Sequence, residues 1–102
     1  MNAHLLIMYP VPKDPKVFDR AYREEHLPYA GPRLKGASNV ATRRVLTPPN
    51  GTSPYYTISD VSFPSMEALQ ACAASAGGKE ALAHAASIST GGAPLVLVVK
   101  EE

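Results

Sequence analysis

The sequence predicts an α+β fold in which helices cover one side of a four-stranded antiparallel sheet. Four segments have the length and apolar pattern of strands, and segments with helical spacing separate them in the order β-α-β-β-α-β. That order is the ferredoxin-like, split βαβ arrangement. All 102 residues are predicted to form one domain with one core.

The first strand and the first helix are predicted in the N-terminal third. Residues 4–9 form a continuous apolar run, which is typical of a strand buried on both faces. Asp14 followed by Pro15 provides an N-cap with proline at the first helical position. The helix is expected to run to about His26 and to stop at Pro28, because proline disfavours the helical conformation of the residue before it.

A β-hairpin is predicted in the middle of the chain. After an expected loop over residues 29–35, residues 40–46 alternate in the manner of a strand. Asn50-Gly51 suits a turn with positive φ. Residues 55–63 are therefore predicted to be the antiparallel partner strand.

The C-terminal part should add a helix and the last strand. Ser65 is the predicted N-cap of the helix, and Gly77-Gly78 is predicted to end it. Residues 79–88 are compatible with an extra short helix. Residues 94–99 are apolar without alternation, like the first strand, so the helix-free face of the sheet needs a cover. A second copy of the sheet is the simplest cover.

Composition argues against several classes of function. Ten basic and nine acidic residues are interspersed, which provides no charged surface for nucleic acid. The single cysteine, Cys72, cannot form an intramolecular disulfide and is expected to be buried packing. No signal peptide is evident, and no apolar run approaches the roughly 20 residues that cross a bilayer. A cytoplasmic protein that binds neither nucleic acid nor membrane is expected.

One face of the first helix carries the candidate functional residues. Phe18, Tyr22 and His26 are spaced by four and therefore lie one above another. Tyr9 ends the preceding strand, so it could line the same cavity. An imidazole there could act near neutral pH as an acid, a base or a hydrogen-bond donor. In the alternative interpretation, which spacing alone favours, His26 interacts with the helix dipole and the aromatic rings are plain core.

Two charged residues in strand-like sequence predict an ion pair. If the hairpin turns between Asn50 and Gly51, Asp60 lies opposite Ala41 and diagonal to Arg43 on the same face. A structural pair between Arg43 and Asp60 is predicted, and a slip of one residue would move the pairing to Arg44.

No metal site or other cofactor is predicted. The three histidines, His4, His26 and His84, lack the spacing of metal ligands. Phosphate-binding, dinucleotide-binding and hydrolase motifs do not occur in the sequence.

The pattern YPxPxDxxxFDRxYxExHxP at residues 9–28, with FPSMEAL at 63–69 and the last apolar strand, resembles the EthD family. This family is named for ethyl tert-butyl ether degradation and belongs to the dimeric α+β barrel superfamily. The resemblance implies a homodimer in which the helix-free sheet faces pair. It also implies that the family's histidine corresponds to His26 and that its helix aromatics correspond to Phe18 and Tyr22. The superfamily includes cofactor-free oxygenases, lactone isomerases and polyketide cyclases and decarboxylases, whereas the lack of tryptophan argues against haem breakdown.

Three hypotheses follow for the function. In the first, the protein is a cofactor-independent oxidoreductase, lyase or isomerase that binds a small apolar, aromatic or polyketide-like compound. His26 then transfers a proton, and Tyr22 and Tyr9 orient an oxygen of the ligand. In the second, the same pocket belongs to a non-catalytic binding or accessory protein of a degradative pathway, because the sequence places no second titratable group beside His26. In the third, the apolar sheet face serves dimerisation alone.

Overall fold

A computed structural model describes residues 2–102 and confirms the predicted fold class. Its four strands form one antiparallel sheet in the order β2-β3-β1-β4, and the helices cover one face of it. The strands are β1 (Ala3–Pro10), β2 (Asn39–Arg44), β3 (Tyr55–Phe63) and β4 (Leu95–Lys100).

The first helical stretch is longer and less regular than predicted. The N-cap is the predicted one, since Asp14 Oδ1 accepts hydrogen bonds from the backbone N–H groups of Lys16 and Val17. The stretch consists of α1 (Pro15–Arg20), a π-helical turn (Ala21–His26), α2 (Leu27–Ala30) and a 3₁₀ turn (Gly31–Arg33). The expectations of a stop at Pro28 and of a loop over residues 29–35 are therefore wrong.

The π-helical turn explains how the helix passes Pro28. In a regular α-helix the proline ring would crowd the carbonyl of Glu24, four residues earlier. Here the N–H of Leu27 bonds to the carbonyl of Tyr22, five residues earlier, so the helix is wider at this point. Pro28 then lies in the first turn of α2, where its missing N–H costs little.

The Gly77-Gly78 pair starts a helix instead of ending one. Helix α3 (Met66–Ala74), capped by Ser65 as predicted, ends at Ser75, whose own Oγ caps α4 (Ala76–Ile88) by accepting from the N–H of Gly78. A Cβ atom on Gly78 would collide with the carbonyl oxygen of Cys72. Glycine is required here because the two helices approach closely, and the prediction that the pair ends a helix is wrong.

The core lies between the helices and one face of the sheet. Alternate residues of β1 point into it, and Tyr9 is fully buried, while Leu6 and Met8 are half-buried on the helix-free face. Strand β4 was predicted to be buried, but within a single chain it is not: its apolar side chains from Leu95 to Val99 are 39% to 53% exposed. Among residues 2–102, no helix has the length and apolar character to cross a membrane.

Candidate functional site

A cavity of about 230 Å³ lies between the helix-covered face of the sheet and the first helical stretch. The strands contribute the hydroxyl groups of Thr42 and Ser59, and the helical stretch contributes His26. The rest of the wall is apolar backbone and side chain from Ile7, Leu27, Ala30, Gly31, Leu34, Val40 and Val61. A concave apolar surface with a few polar groups is the usual form of a small-molecule site.

A larger depression of about 510 Å³ lies on the outside of the molecule, between the 3₁₀ turn and helices α3 and α4. Charged side chains line it, among them Arg33, Lys35 and Glu80. None of the candidate site residues predicted from the sequence lines it. We place the candidate site in the smaller cavity because that cavity contains the buried imidazole.

The π-helical turn aims His26 at the sheet. Tyr22 and His26, at the start and the end of this turn, are both buried, and their rings stack with centroids 5.7 Å apart. π-helical turns inside α-helices often occur at functional sites because they redirect side chains.

His26 is held from both ring nitrogens. Its Nδ1 lies 2.9 Å from Nδ1 of His84, and its Nε2 lies 3.4 Å from the hydroxyl of Tyr9. The side chain is only 5% exposed. Burial, with a smaller effect of a positive charge on His84, lowers the pKa of His26 from 6.5 to about 4. The ring is therefore neutral at neutral pH.

Tyr22 shares its helical face with His26 but bonds to the sheet. Its hydroxyl lies 2.6 Å from Ser59 Oγ and 2.7 Å from Thr42 Oγ1. Tyr22 itself does not line the cavity, but the two strand hydroxyl groups to which it bonds do. Thr42 and Ser59 were missed from the sequence, and the only signal for them was their alternation onto the helix-covered face of paired strands.

Tyr9 and Phe18 form an aromatic cluster behind His26. The ring of Tyr9 meets those of Phe18 and Tyr22 edge to face, with centroids 5.1 Å and 5.7 Å apart. Because both rings are buried against their neighbours, neither belongs to the cavity wall itself. Burial raises the pKa of Tyr9, so its phenol keeps its proton and can donate it in a hydrogen bond.

His84 was not predicted as a site residue. It lies on α4, 58 residues after His26 in the chain. Its ring is nearly parallel to that of His26 with centroids 5.2 Å apart, and the two rings meet edge to edge through their Nδ1 atoms. One face of the His84 ring stacks on Tyr29, with centroids 4.6 Å apart. The alanine-rich sequence around His84 gave no signal of this contact, which depends on how α4 packs against the first helical stretch.

The predicted ion-pair residues lie on the helix-free face, away from the cavity. Arg43 Nη1 is 2.8 Å from Asp60 Oδ2, and Asp60 is paired with Ala41 across the strands. His4, which was not predicted, joins this cluster, with Nδ1 2.8 Å from Asp60 Oδ1 and Nε2 2.9 Å from Glu101 Oε1. These charges are therefore too remote to take part in chemistry at His26.

Within residues 2–102, no group of three histidine, cysteine, aspartate or glutamate side chains is arranged to hold a metal ion. The cavity instead offers one neutral imidazole, a set of hydroxyl groups and apolar surface. This arrangement can bind a small ligand, orient one of its oxygens and accept a proton.

Comparison with known proteins supports the family and the fold. The model of the EthD domain matches residues 12–87. No curated protein sequence matches the chain. An EthD family protein of Bacillus halodurans C-125 superposes with a TM-score of 0.88 at 24% identity over 100% of both chains.

Two further solved structures share the fold at lower identity. A dimeric ferredoxin-like protein of unknown function from Jannaschia sp. CCS1 has a TM-score of 0.71 at 18% identity, over 99% of this chain and 100% of that one. SnoaB, a cofactor-independent oxygenase from Streptomyces nogalater, has a TM-score of 0.65 at 12% identity, over 98% of this chain and 92% of that one. With a family model that matches most of its length, the chain belongs to the EthD family.

Proposed function

We propose that the protein binds a small, largely apolar carbonyl or phenol compound in the helix-sheet cavity and catalyses proton transfer at His26 without a bound cofactor. The observation that carries this proposal is a buried, neutral imidazole in the wall of an apolar cavity. Similarity in fold to a protein described as a cofactor-independent oxygenase supports chemistry without a bound cofactor.

The cavity wall defines the ligand class. Its volume of about 230 Å³ lies below the range of about 300–1,000 Å³ for drug-sized ligands, so it suits a compound with one or two rings or a short polyketide-like chain. The apolar wall favours an apolar body. The hydroxyl groups of Thr42 and Ser59, which line the cavity and are both held by the Tyr22 hydroxyl behind them, are placed to orient one ligand oxygen.

His26 acts first as a base in this mechanism. Because it is neutral at neutral pH, it can accept a proton from an acidic O–H group or from a C–H group beside a carbonyl. Nε2 is the nitrogen for this step, since Nδ1 is engaged by His84 Nδ1 at 2.9 Å, whereas the 3.4 Å contact of Nε2 to the Tyr9 hydroxyl is the longer one, which the substrate replaces.

Hydrogen–deuterium exchange tests the proposal. Ethyl acetoacetate, a small β-dicarbonyl probe, should exchange its acidic C–H protons faster in the presence of the protein, as followed by NMR in D₂O. His26→Phe keeps the aromatic stacking but removes the base, so it should abolish the acceleration. Tyr55→Phe, a change outside the cavity, is the matched control. Equal acceleration by the wild type and His26→Phe would remove the proposed role of His26.

A non-catalytic binding or accessory protein is the second candidate. It is favoured by the low pKa of His26, because a group with a pKa of about 4 is a weak base on its own. Saturable binding of aromatic or β-dicarbonyl compounds without exchange or turnover would support this candidate. Turnover that depends on intact His26 would contradict it.

A homodimer through the helix-free sheet face is part of the proposal. Leu97 lies on that face opposite Leu6 and is 40% exposed in the single chain. Leu97→Asp should give monomers in sedimentation velocity. Val98→Asp is the matched control, because Val98 lies on the other face of the same strand, opposite Leu5. A monomeric wild type, or equal effects of both variants, would contradict this interface.

A further inference from the structure

The contact between His26 and His84 constrains where their protons lie. The two Nδ1 atoms are 2.9 Å apart, which is a hydrogen-bond distance. In a neutral imidazole one nitrogen carries a proton and the other carries a lone pair. Between two neutral rings, one Nδ1 must therefore donate and the other must accept.

Tyr9 indicates which ring donates. Its protonated phenol can donate to His26 Nε2, which then has to carry the lone pair. This places the proton of His26 on Nδ1, where it is donated to Nδ1 of His84. The proton of neutral His84 is then on its own Nε2.

We infer that His84 is a positioning residue that fixes His26 in the Nδ1–H tautomer and relays the proton taken up at His26 towards solvent. This inference rests on the proposed function. In the step, the O–H or C–H bond of the substrate breaks, its electron pair stays on the substrate, and the proton binds His26 Nε2. The Nδ1 proton of His26 passes to Nδ1 of His84, which becomes an imidazolium. His26 ends the step neutral.

The surroundings of His84 suit a positive charge better than those of His26. His84 is only partly buried, and its ring lies on the face of Tyr29, with centroids 4.6 Å apart. An aromatic face attracts a cation.

Arg33 is the other charge near this stack. Its guanidinium covers the ring of Tyr29 at 3.6 Å, and its Nε lies 3.4 Å from Glu80 Oε1. Glu80 thus offsets the positive charge of Arg33. The relay accounts for catalysis by a buried histidine, because the positive charge resides on the partly exposed ring.

NMR of the imidazole nitrogens tests the inference without any substrate. In the wild type at neutral pH, His26 should show the Nδ1–H tautomer, with Nε2 unprotonated. His84→Phe keeps a ring between His26 and Tyr29 but removes the acceptor, so the tautomer populations of His26 should shift towards Nε2–H. Tyr29→Leu, which removes the stacking but not the acceptor, should leave them unchanged. A wild type with the Nε2–H tautomer, or unchanged populations in His84→Phe, would overturn the inference.

Exchange into ethyl acetoacetate adds a catalytic readout. His84→Phe should lower the exchange rate at saturating probe by about tenfold to a hundredfold. In His84→Ala, added imidazole should restore part of the rate. Loss of exchange in His26→Phe together with full exchange in His84→Phe would refute the relay alone. If His26→Phe keeps full exchange, the proposed function fails, and the tautomer measurement still decides the role of His84 in positioning the ring.

Discussion

Acidification should destabilise the folded protein through His26. An unfolded histidine binds a proton below its ordinary pKa of 6.5, whereas the folded His26 does so only near pH 4. Between these values the unfolded state binds more protons, so the free energy of unfolding falls as the pH falls. At 1.36 kcal/mol per pKa unit, this difference corresponds to about 3 kcal/mol lost on reaching pH 4.

Urea unfolding at fixed protein concentration, at several values between pH 6.5 and pH 4, measures this loss. His26→Phe is the comparison, because phenylalanine keeps the stacking with Tyr22 but does not titrate. Protonation of carboxylates affects both proteins, so it cancels in the difference between them. The wild type should lose about 3 kcal/mol more than the variant over this range. Parallel pH profiles for the two proteins would refute the reasoning.

Two further predictions concern the helix junction and the helix-free face. Gly78→Ala should lower the free energy of unfolding by about 1–3 kcal/mol in chemical denaturation, because its Cβ meets the carbonyl of Cys72. Gly31→Ala, where the Cβ would meet nothing within 4 Å, should change it little, and equal effects would contradict the close approach. Hydrogen bonds that His4 donates, first to the carboxylate of Glu101 and then to that of Asp60, raise the pKa of His4. Its stabilising contribution is therefore complete below pH 6.5 and is lost as the pH rises through the higher folded value. The unfolding free energy of the wild type should therefore fall more steeply above pH 6.5 than that of His4→Gln, and identical slopes would speak against the cluster.

The sequence by itself determined the order of the elements and their caps. Asp14 and Ser65 bond to backbone N–H groups two or three residues away, and β3 begins and ends at the predicted residues. Gly51 has the positive φ that the hairpin turn required. These signals can be interpreted from the chain alone because they depend on hydrogen bonds and steric contacts between near neighbours in sequence.

Two local signals were misleading because their meaning depends on packing. Pro28 and Gly78 are helix breakers in isolation, yet each lies in the first turn of a helix. A wider helical turn accommodates the proline, and the close approach of α3 and α4 requires the glycine. Neither circumstance is visible in the residues on either side.

The candidate site likewise combines features that local sequence predicts with features that depend on tertiary packing. The spacing of Phe18, Tyr22 and His26 predicted a shared helical face, because the repeat of a helix is local. The partner of His26 is His84, which comes 58 residues later and is brought to 2.9 Å only when α4 packs against the first helical stretch. The hydroxyl groups around the cavity likewise depend on strand pairing. Burial and the position of a charge within the fold set the pKa of His26, and these are properties of the tertiary structure because they arise from residues distant in sequence.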